Sequence, residues 1–336
     1  MAEKTRIAVI GDNTFDCLEW HLCYTLRKMG HEARIFGEKD TSLRRFMGAN
    51  AFEIMRRASG LYERTAYAQL ANNVITYKPG LIIVCYRHLA PNTIGRLKDK
   101  IPAARIVHIN SDHIVTMSYQ RQYLLNSAYD AWFTKDHYQV KFMRDILGLN
   151  VHYLAEAYNP DIHRPPDNPV DEKKRCDLLV IASLYPYRNM ILERLSRDLS
   201  IDMEIHGPVP RWMATRLPMV RPPLYGKEKA AKFFSAKICL NTFHYAEIES
   251  VNCRFFEIVG SGGFQICDDK PAIYEFLEKD REIVTYANYS ELREKIAYYL
   301  DHESEREQIR ARAFDRFKSK HTYEQRLNEM FRILAL

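Results

Sequence analysis

The chain has 336 residues, too many for one ordinary core and suited to two domains of average size. Its composition, 46% hydrophobic and 27% charged, is that of a soluble globular protein, and no apolar run approaches a membrane span, which excludes disordered and helical-membrane classes. The net charge of +6 is uneven: residues 1–170 hold 22 Lys and Arg against 17 Asp and Glu, the remainder 27 against 26.

The N-terminus runs straight into the strand "RIAVIG" (6–11), so no signal peptide is read there. "FDCLEWHLCYTLRKMG" (15–30) is helical, stopped by Gly30, and "ARIFG" (33–37) is the next strand. Helical stretches are expected at 42–58 and 61–77. "LIIVCY" (81–86), "ARIVHIN" (104–110), "DAWFT" (130–134) and "NVHYL" (150–154) read as buried strands. The four prolines and polar composition of "YNPDIHRPPDNPVDEKK" (158–174) predict a linker. Strands resume with "CDLLVIAS" (176–183), "IDMEIHG" (201–207), "AKICLNT" (236–242), "FQICD" (264–268) and "EIVTY" (282–286), and three helical stretches close the chain. The pattern is α/β: two doubly wound, parallel-sheet domains whose strand carboxyl ends face a cleft. Seven scattered cysteines, odd in number and without a C-x-x-C pair, argue against a disulfide framework or a zinc site and for a reducing cytoplasm.

One stretch concentrates charge beside a turn, "ESVNCRFFEIVGSGGFQICDD" (249–269). Ser250 is expected to cap a helix that Gly260 ends, putting the helix N-terminus at a strand's carboxyl end, where free N–H groups suit a diphosphate. Glu249 and Glu257 lie two turns apart, so they suit two parts of an extended ligand, each carboxylate taking neighbouring hydroxyls. Arg254 offers a fork for phosphate, or a brace to Glu257 at i,i+3 spacing. A sugar, a diphosphate and a ribose together make a nucleotide sugar. "GDNTFD" (11–16) after the first strand is not a dinucleotide fingerprint, and Gly11 is read as a sharp turn. "HINSDH" (108–113) ends in Asp112 and His113, which are either a helix cap or a base for an acceptor hydroxyl. The loops "IHGPVPRW" (205–212) and "PPLYGKEK" (222–229) could hold a nucleotide base, with Tyr225 in contact.

The same stretch resembles the E-x7-E signature of retaining GT-B glycosyltransferases of group 1. More closely, "VNCRFFEIVGSGGFQICDD" is similar to the spore-maturation-protein-like (CgeB-type) glycosyltransferases, with an R-x-F-E core, G-x-F and an acidic turn. The similarity extends over 274–313 and 178–195, and more loosely over "YDAWFTKDHY" and "VHYLAEAYNPDIHRP". The resemblance implies a GT-B fold with an acceptor-side domain at 1–165, a nucleotide-sugar domain at 166–320 and a helix at 321–336 crossing back to the first domain. It implies that Glu257 binds ribose hydroxyls, Glu249 the donor sugar and Arg188 the diphosphate, with Arg254 as a second phosphate ligand, while Gly262 and Gly263 let backbone approach the donor. Where group-1 relatives carry E-G-F-G, this chain has "EIES" at 247–250, so the retaining assignment rests on spacing.

The expected function is a glycosyltransferase that uses a nucleoside-diphosphate sugar, UDP-sugar first, and needs no metal. Asp112 or His113 would be the base if the reaction inverts. The excess of basic residues in the first half, including Arg44, Arg45, Arg56 and Arg57, reads either as a solvated helix face or as a surface for anionic lipid, nucleic acid or an acidic acceptor. A nucleic-acid-modifying glycosyltransferase, a nucleic-acid-binding protein, a nucleotide-sugar epimerase and a non-catalytic sugar-binding protein are the alternatives.

Overall fold

The computed structural model describes residues 4–37, 46, 51, 60–86, 89–110, 128–168, 175–318 and 320–336. Of the expected helix at 42–58 only Phe46 and Ala51 are described, both as helical; the four arginines within it, and Ser111, Asp112 and His113, lie outside the described residues. The chain divides into two compact units, Met1–Ala155 with Tyr323–Leu336, and Glu156–Thr322.

The first unit is built on a six-stranded parallel sheet. Its strands are β1 (Arg6–Ile10), β2 (Glu32–Phe36), β3 (Leu81–Cys85), β4 (Arg105–Asn110), β5 (Ala131–Thr134) and β6 (Val151–Tyr153), in the order β2-β1-β3-β4-β5-β6. A parallel sheet is covered on both faces, so its inner strands are apolar throughout; all five residues of β3 are buried. Helices α1 (Leu18–Lys28), α2 (Gly60–Tyr77), α3 (Pro91–Lys100) and α4 (His137–Lys141) connect the strands, α4 running on into a π turn at Phe142–Ile146. The last helix of the chain, designated α10 (Tyr323–Leu334), returns to this unit; the Tyr323 ring stacks on His21 of α1 at 5.0 Å. Gly11 follows β1 for want of space rather than for a special turn. A Cβ there would lie 2.3 Å from the Glu19 carboxylate, which accepts the Asp12 N–H at 3.0 Å. Burial pushes the Glu19 carboxyl up from its usual range.

The second unit holds a five-stranded parallel sheet: β7 (Leu178–Ile181), β8 (Met203–His206), β9 (Ile238–Asn241), β10 (Gln265–Asp268) and β11 (Val284–Tyr286), in the order β11-β10-β9-β7-β8. Helices α5 (Pro186–Asp198), α6 (Gly226–Ser235), α7 (Cys253–Gly260), α8 (Tyr289–Asp301) and α9 (Glu303–Phe317) fill the connections. The chain leaves β7 towards β8, then crosses back to β9 on the other side of β7. The strand order therefore reverses between β7 and β9, and the loops after them part at their carboxyl ends.

Residues 158–168 of the proline-rich stretch read as a linker belong to this second unit. Tyr158 is buried, its hydroxyl donates to the Phe317 carbonyl at 3.0 Å, and its ring fills the space against Gly260, where a Cβ would lie 2.4 Å from Tyr158 Cδ2. His163 is buried as well. Composition marked the prolines, but two apolar or aromatic side chains in a polar stretch are enough to anchor it. No described helix is long and apolar enough to cross a membrane.

Candidate functional site

The carboxyl ends of β7 and β9 are joined by one side chain. Pro186 opens α5 in its first turn, where the missing N–H costs nothing, and this places Arg188 at the mouth of the switch point. Its Nε donates to Thr242 Oγ1 at 2.6 Å, its Nη2 to the Thr242 carbonyl at 2.5 Å and to the Tyr187 hydroxyl at 3.1 Å, and its Nη1 to the Ser183 carbonyl. The guanidinium is buried and every hydrogen-bond partner named here is a neutral oxygen; among the described residues no carboxylate forms an ion pair with it. Burial lowers its affinity for the proton, against the opposing pull of Tyr187, Tyr185 and the Asp268 carboxylate. A buried cation with no carboxylate in direct contact is stabilised by a bound anion.

The start of α7 stands beside this arginine. Asn252, and not Ser250, caps the helix: its Oδ1 accepts the Phe255 N–H at 3.0 Å. Asn252 also exchanges two amide hydrogen bonds of 3.0 Å with Asn241, the last residue of β9, which fixes the helix N-terminus at the strand end. Ser250 turns the other way and donates to Glu247 Oε2 at 2.6 Å. The first N–H groups of α7 thus face the switch point, with the positive end of the helix dipole.

Glu257 lies one turn further in. It is 4% exposed; Lys229, equally buried on α6, reaches its Oε1 at 2.9 Å, and Arg254 pairs with its Oε2. His163 Nε2 is 3.7 Å from Oε1. Two cations, Lys229 and Arg254, thus converge on one carboxylate near the helix N-terminus. Arg254 therefore takes the brace that its spacing allowed, while keeping about a quarter of its side-chain surface exposed. Glu249 sits in the exposed loop before α7, so the structure does not bring the two glutamates together.

Gly262 and Gly263 stand away from this rim. Gly262 adopts φ +73° and its N–H bonds the Val259 carbonyl at 2.9 Å, while the Gly263 N–H bonds that of Ile258 at 2.9 Å. This is a Schellman stop at the C-terminus of α7, just before the amino end of β10. Gly263 also has no room for a side chain: a Cβ would meet the Phe233 carbonyl at 2.8 Å. These glycines end a helix, and Gly260, read as the stop, is the last helical residue. Tyr225 is the residue before α6 and is exposed. The loops read as base-holding are tied together: His206 Nδ1 donates to the Pro222 carbonyl at 2.9 Å, and Gly207 crosses so close to the β7 exit that a Cβ would lie 1.9 Å from the Ala182 oxygen.

The rim carries further groups that motif reading passed over. Asp268 ends β10 and accepts from the Tyr286 hydroxyl at 2.5 Å and the Phe243 N–H at 3.1 Å; burial pushes its carboxyl up. Thr242 gave no signal in the sequence. Lys229 did: Gly226, Ala230 and Phe233 define the buried face of α6, and a lysine at 229 on that face requires a partner.

Residues 188–332 match the model of the family described as glycosyl transferase-like. No curated protein matches the sequence. Among solved structures, sucrose-phosphate synthase from Thermosynechococcus elongatus is similar over 99% of this chain and 98% of its own, at 11% identity and a TM-score of 0.71. HepE of Anabaena, solved in complex with UDP and glucose, covers 98% and 99% at 10% identity and 0.62. The DNA-modifying enzyme β-glucosyltransferase covers 98% and 100% at 12% identity and 0.61. Likeness over nearly whole chains shows the fold, and the fold is GT-B. Arg188 is the first residue of the matched stretch, and the rim described above lies within and just before it.

Proposed function

We infer that the protein is a glycosyltransferase that takes a sugar from a nucleoside-diphosphate sugar, with UDP-sugar the first candidate donor. The observation that carries this is Arg188, a buried guanidinium bridging the β7 and β9 loops with neutral partners, beside the N-terminus of α7. A diphosphate would complete both. As the sugar–oxygen bond breaks, charge grows on the departing diphosphate, and preorganised donors there lower the barrier. Arg188 and the α7 N–H groups, with Arg254 nearby, supply that charge from the chain itself, so the reading expects no metal. Glu257 is assigned the ribose hydroxyls, Glu249 the donor sugar and Tyr225 the base; Asp112 or His113 is the base if the reaction inverts. Stereochemistry and acceptor are left to experiment, as is the CgeB-type kinship.

The test is calorimetric titration with UDP, GDP, ADP, CDP and dTDP, each with and without EDTA. Selective binding of one, indifferent to EDTA and weakened in Arg188→Lys, supports the reading. Binding of none overturns it. Glu257→Ala alone is a poor probe, because it also breaks the buried ion pair with Lys229.

The basic excess of residues 1–170 favours one narrower version, a glycosyltransferase whose acceptor is nucleic acid. Duplex binding that falls steeply with salt, and that is lost when Arg44, Arg45, Arg56 and Arg57 are neutralised, supports it; salt-insensitive or absent binding removes it.

A further inference from the structure

The first unit holds a cavity that no motif marks. Its volume is about 340 Å³, and its walls include Trp20, Tyr24 and Arg27 of α1 and Arg34 and Ile35 of β2. The sheet order explains its place. β2 is the edge strand of the six, and positions 20, 24 and 27 recur at helical spacing along α1. One stripe of the helix thus stands over the margin of the sheet, and the cavity lies between the two.

One wall is aromatic. The Trp20 ring stacks on Tyr24 at 5.1 Å with 15° between the planes, and Phe15 braces it edge-on at 4.8 Å. The other wall is cationic. Arg27 Nε donates to the Ala33 carbonyl at 2.9 Å, which ties the guanidinium to β2; among the described residues Arg27 forms no ion pair. Arg34 lies 4.8 Å from the centroid of the Tyr77 ring and pairs with Glu32 at 3.2 Å. Both members of that pair are largely exposed, so it is weak and a better anion can displace it. Two arginines line the cavity and no carboxylate does.

These walls define a ligand. A guanidinium fork matches the oxygens of a phosphate or carboxylate, and an indole offers an apolar surface to a flat ring. The volume suits a small organic molecule and exceeds what a bare ion needs.

We propose that the cavity between α1 and β2 binds a small organic anion, a phosphate ester or carboxylate borne on a flat ring, with its oxygens on Arg27 and Arg34 and its ring against Trp20. The site belongs to the first unit and Arg188 to the second, so the proposal stands without the donor reading.

The experiment titrates the full chain by calorimetry with phenyl phosphate, benzoate, phenol, inorganic phosphate and acetate. The proteins are wild type, Arg27→Gln, Arg34→Gln, Trp20→Leu and Arg188→Lys, with the melting temperature as fold control. Phenyl phosphate or benzoate should bind wild type once per chain, and the tighter of the two tells a phosphate ester from a carboxylate. That probe should bind about tenfold or more tightly than phenol and than its ringless partner, inorganic phosphate or acetate. Each Arg→Gln change should weaken it by about tenfold or more, the lower end for a charged hydrogen bond. Trp20→Leu should bring it down to the level of the ringless anion. Arg188→Lys should leave it within about twofold, because the two sites share no residue. Arg34 is exposed, so its variant reads the site even if Arg27→Gln, which gives up the tie to Ala33, fails to fold. No binding of either ring-bearing anion overturns the proposal, as does binding that survives both arginine changes. Loss in Arg188→Lys would move the ligand to the second unit and overturn it as well.

Discussion

Arg188 and Thr242, 54 residues apart in sequence, close the switch point of the second sheet: Nε lies 2.6 Å from the threonine hydroxyl and Nη2 2.5 Å from its carbonyl. One side chain on the β7 exit thereby reads the position of the β9 exit. An anion bound at Arg188 would be held by both loops at once.

Arg188→Lys keeps the charge and removes the planar fork that spans Ser183 and Thr242. Nucleoside diphosphate affinity is expected to fall by roughly 10- to 100-fold, the equivalent of about 1.5–3 kcal/mol for a charged hydrogen bond. Titration calorimetry, with the melting temperature as a fold control, checks it. Affinity equal to wild type would take Arg188 out of the site.

Lys229 and Glu257 are both buried, at 2.9 Å. Glu257→Ala removes the carboxylate that Lys229 and Arg254 share inside the fold and is expected to cost about 3–5 kcal/mol in unfolding free energy. The double variant Lys229→Met with Glu257→Leu should recover much of that loss, because both charges of the buried pair are removed together. Denaturant unfolding of the two singles and the double measures the coupling; strictly additive losses would show that the pair does not act as one.

The glycines at the end of α7 offer a direct contrast. Gly262 sits at φ +73°, so Gly262→Ala should cost about 1–2 kcal/mol of stability while leaving diphosphate affinity unchanged. A loss of affinity without loss of stability would return these glycines to the ligand. Gly207→Ala should be far worse, since its Cβ would fall on the Ala182 carbonyl, backbone against backbone. Failure of the second unit to fold is the expected result, read as lost soluble expression or a non-cooperative melt.

Acid should destabilise the second unit through Glu204. Burial alone would raise this carboxyl, but hydrogen bonds from Lys232 and His206 and the charge of Arg221 outweigh it and hold it below its usual range. A carboxylate depressed by folding stabilises the native state above its unfolded pKa, and that contribution is lost as pH falls through the lower, folded value. The melting temperature of wild type is therefore expected to exceed that of Glu204→Gln near neutrality, with the gap closing below about pH 4.3. A gap that stays constant to pH 3 would contradict the assignment.

Much of this was legible in the amino-acid order. Buried parallel strands are continuous apolar runs, and "LIIVC", "LLVI" and "ICLN" can be little else once helical stretches separate them. Alternation of such runs with helices dictates a doubly wound sheet, and the charged stretch at 249–269 stood out because glutamates and an arginine interrupt an apolar helix. The lysine at 229 was a signal of the same kind, on the buried face of α6.

Tertiary structure alone decided which of several local options each residue took. Ser250 and Asn252 are both good caps; Asn252 won because its amide also pairs with Asn241 at the end of β9. Gly262 and Gly263 were open to several local roles, and the packing of Phe233 with the carbonyls of Ile258 and Val259 makes them the end of a helix. The stretch at 158–168 could have been a free linker until Tyr158 found the gap over Gly260. Arg188 and Thr242 meet only because β9 crosses back beside β7. The sequence by itself determined periodicity and charge, which act over a few residues. Strand order brings distant loops together, and only the folded chain carries that information, because it depends on which faces of the sheet the helices between the strands bury.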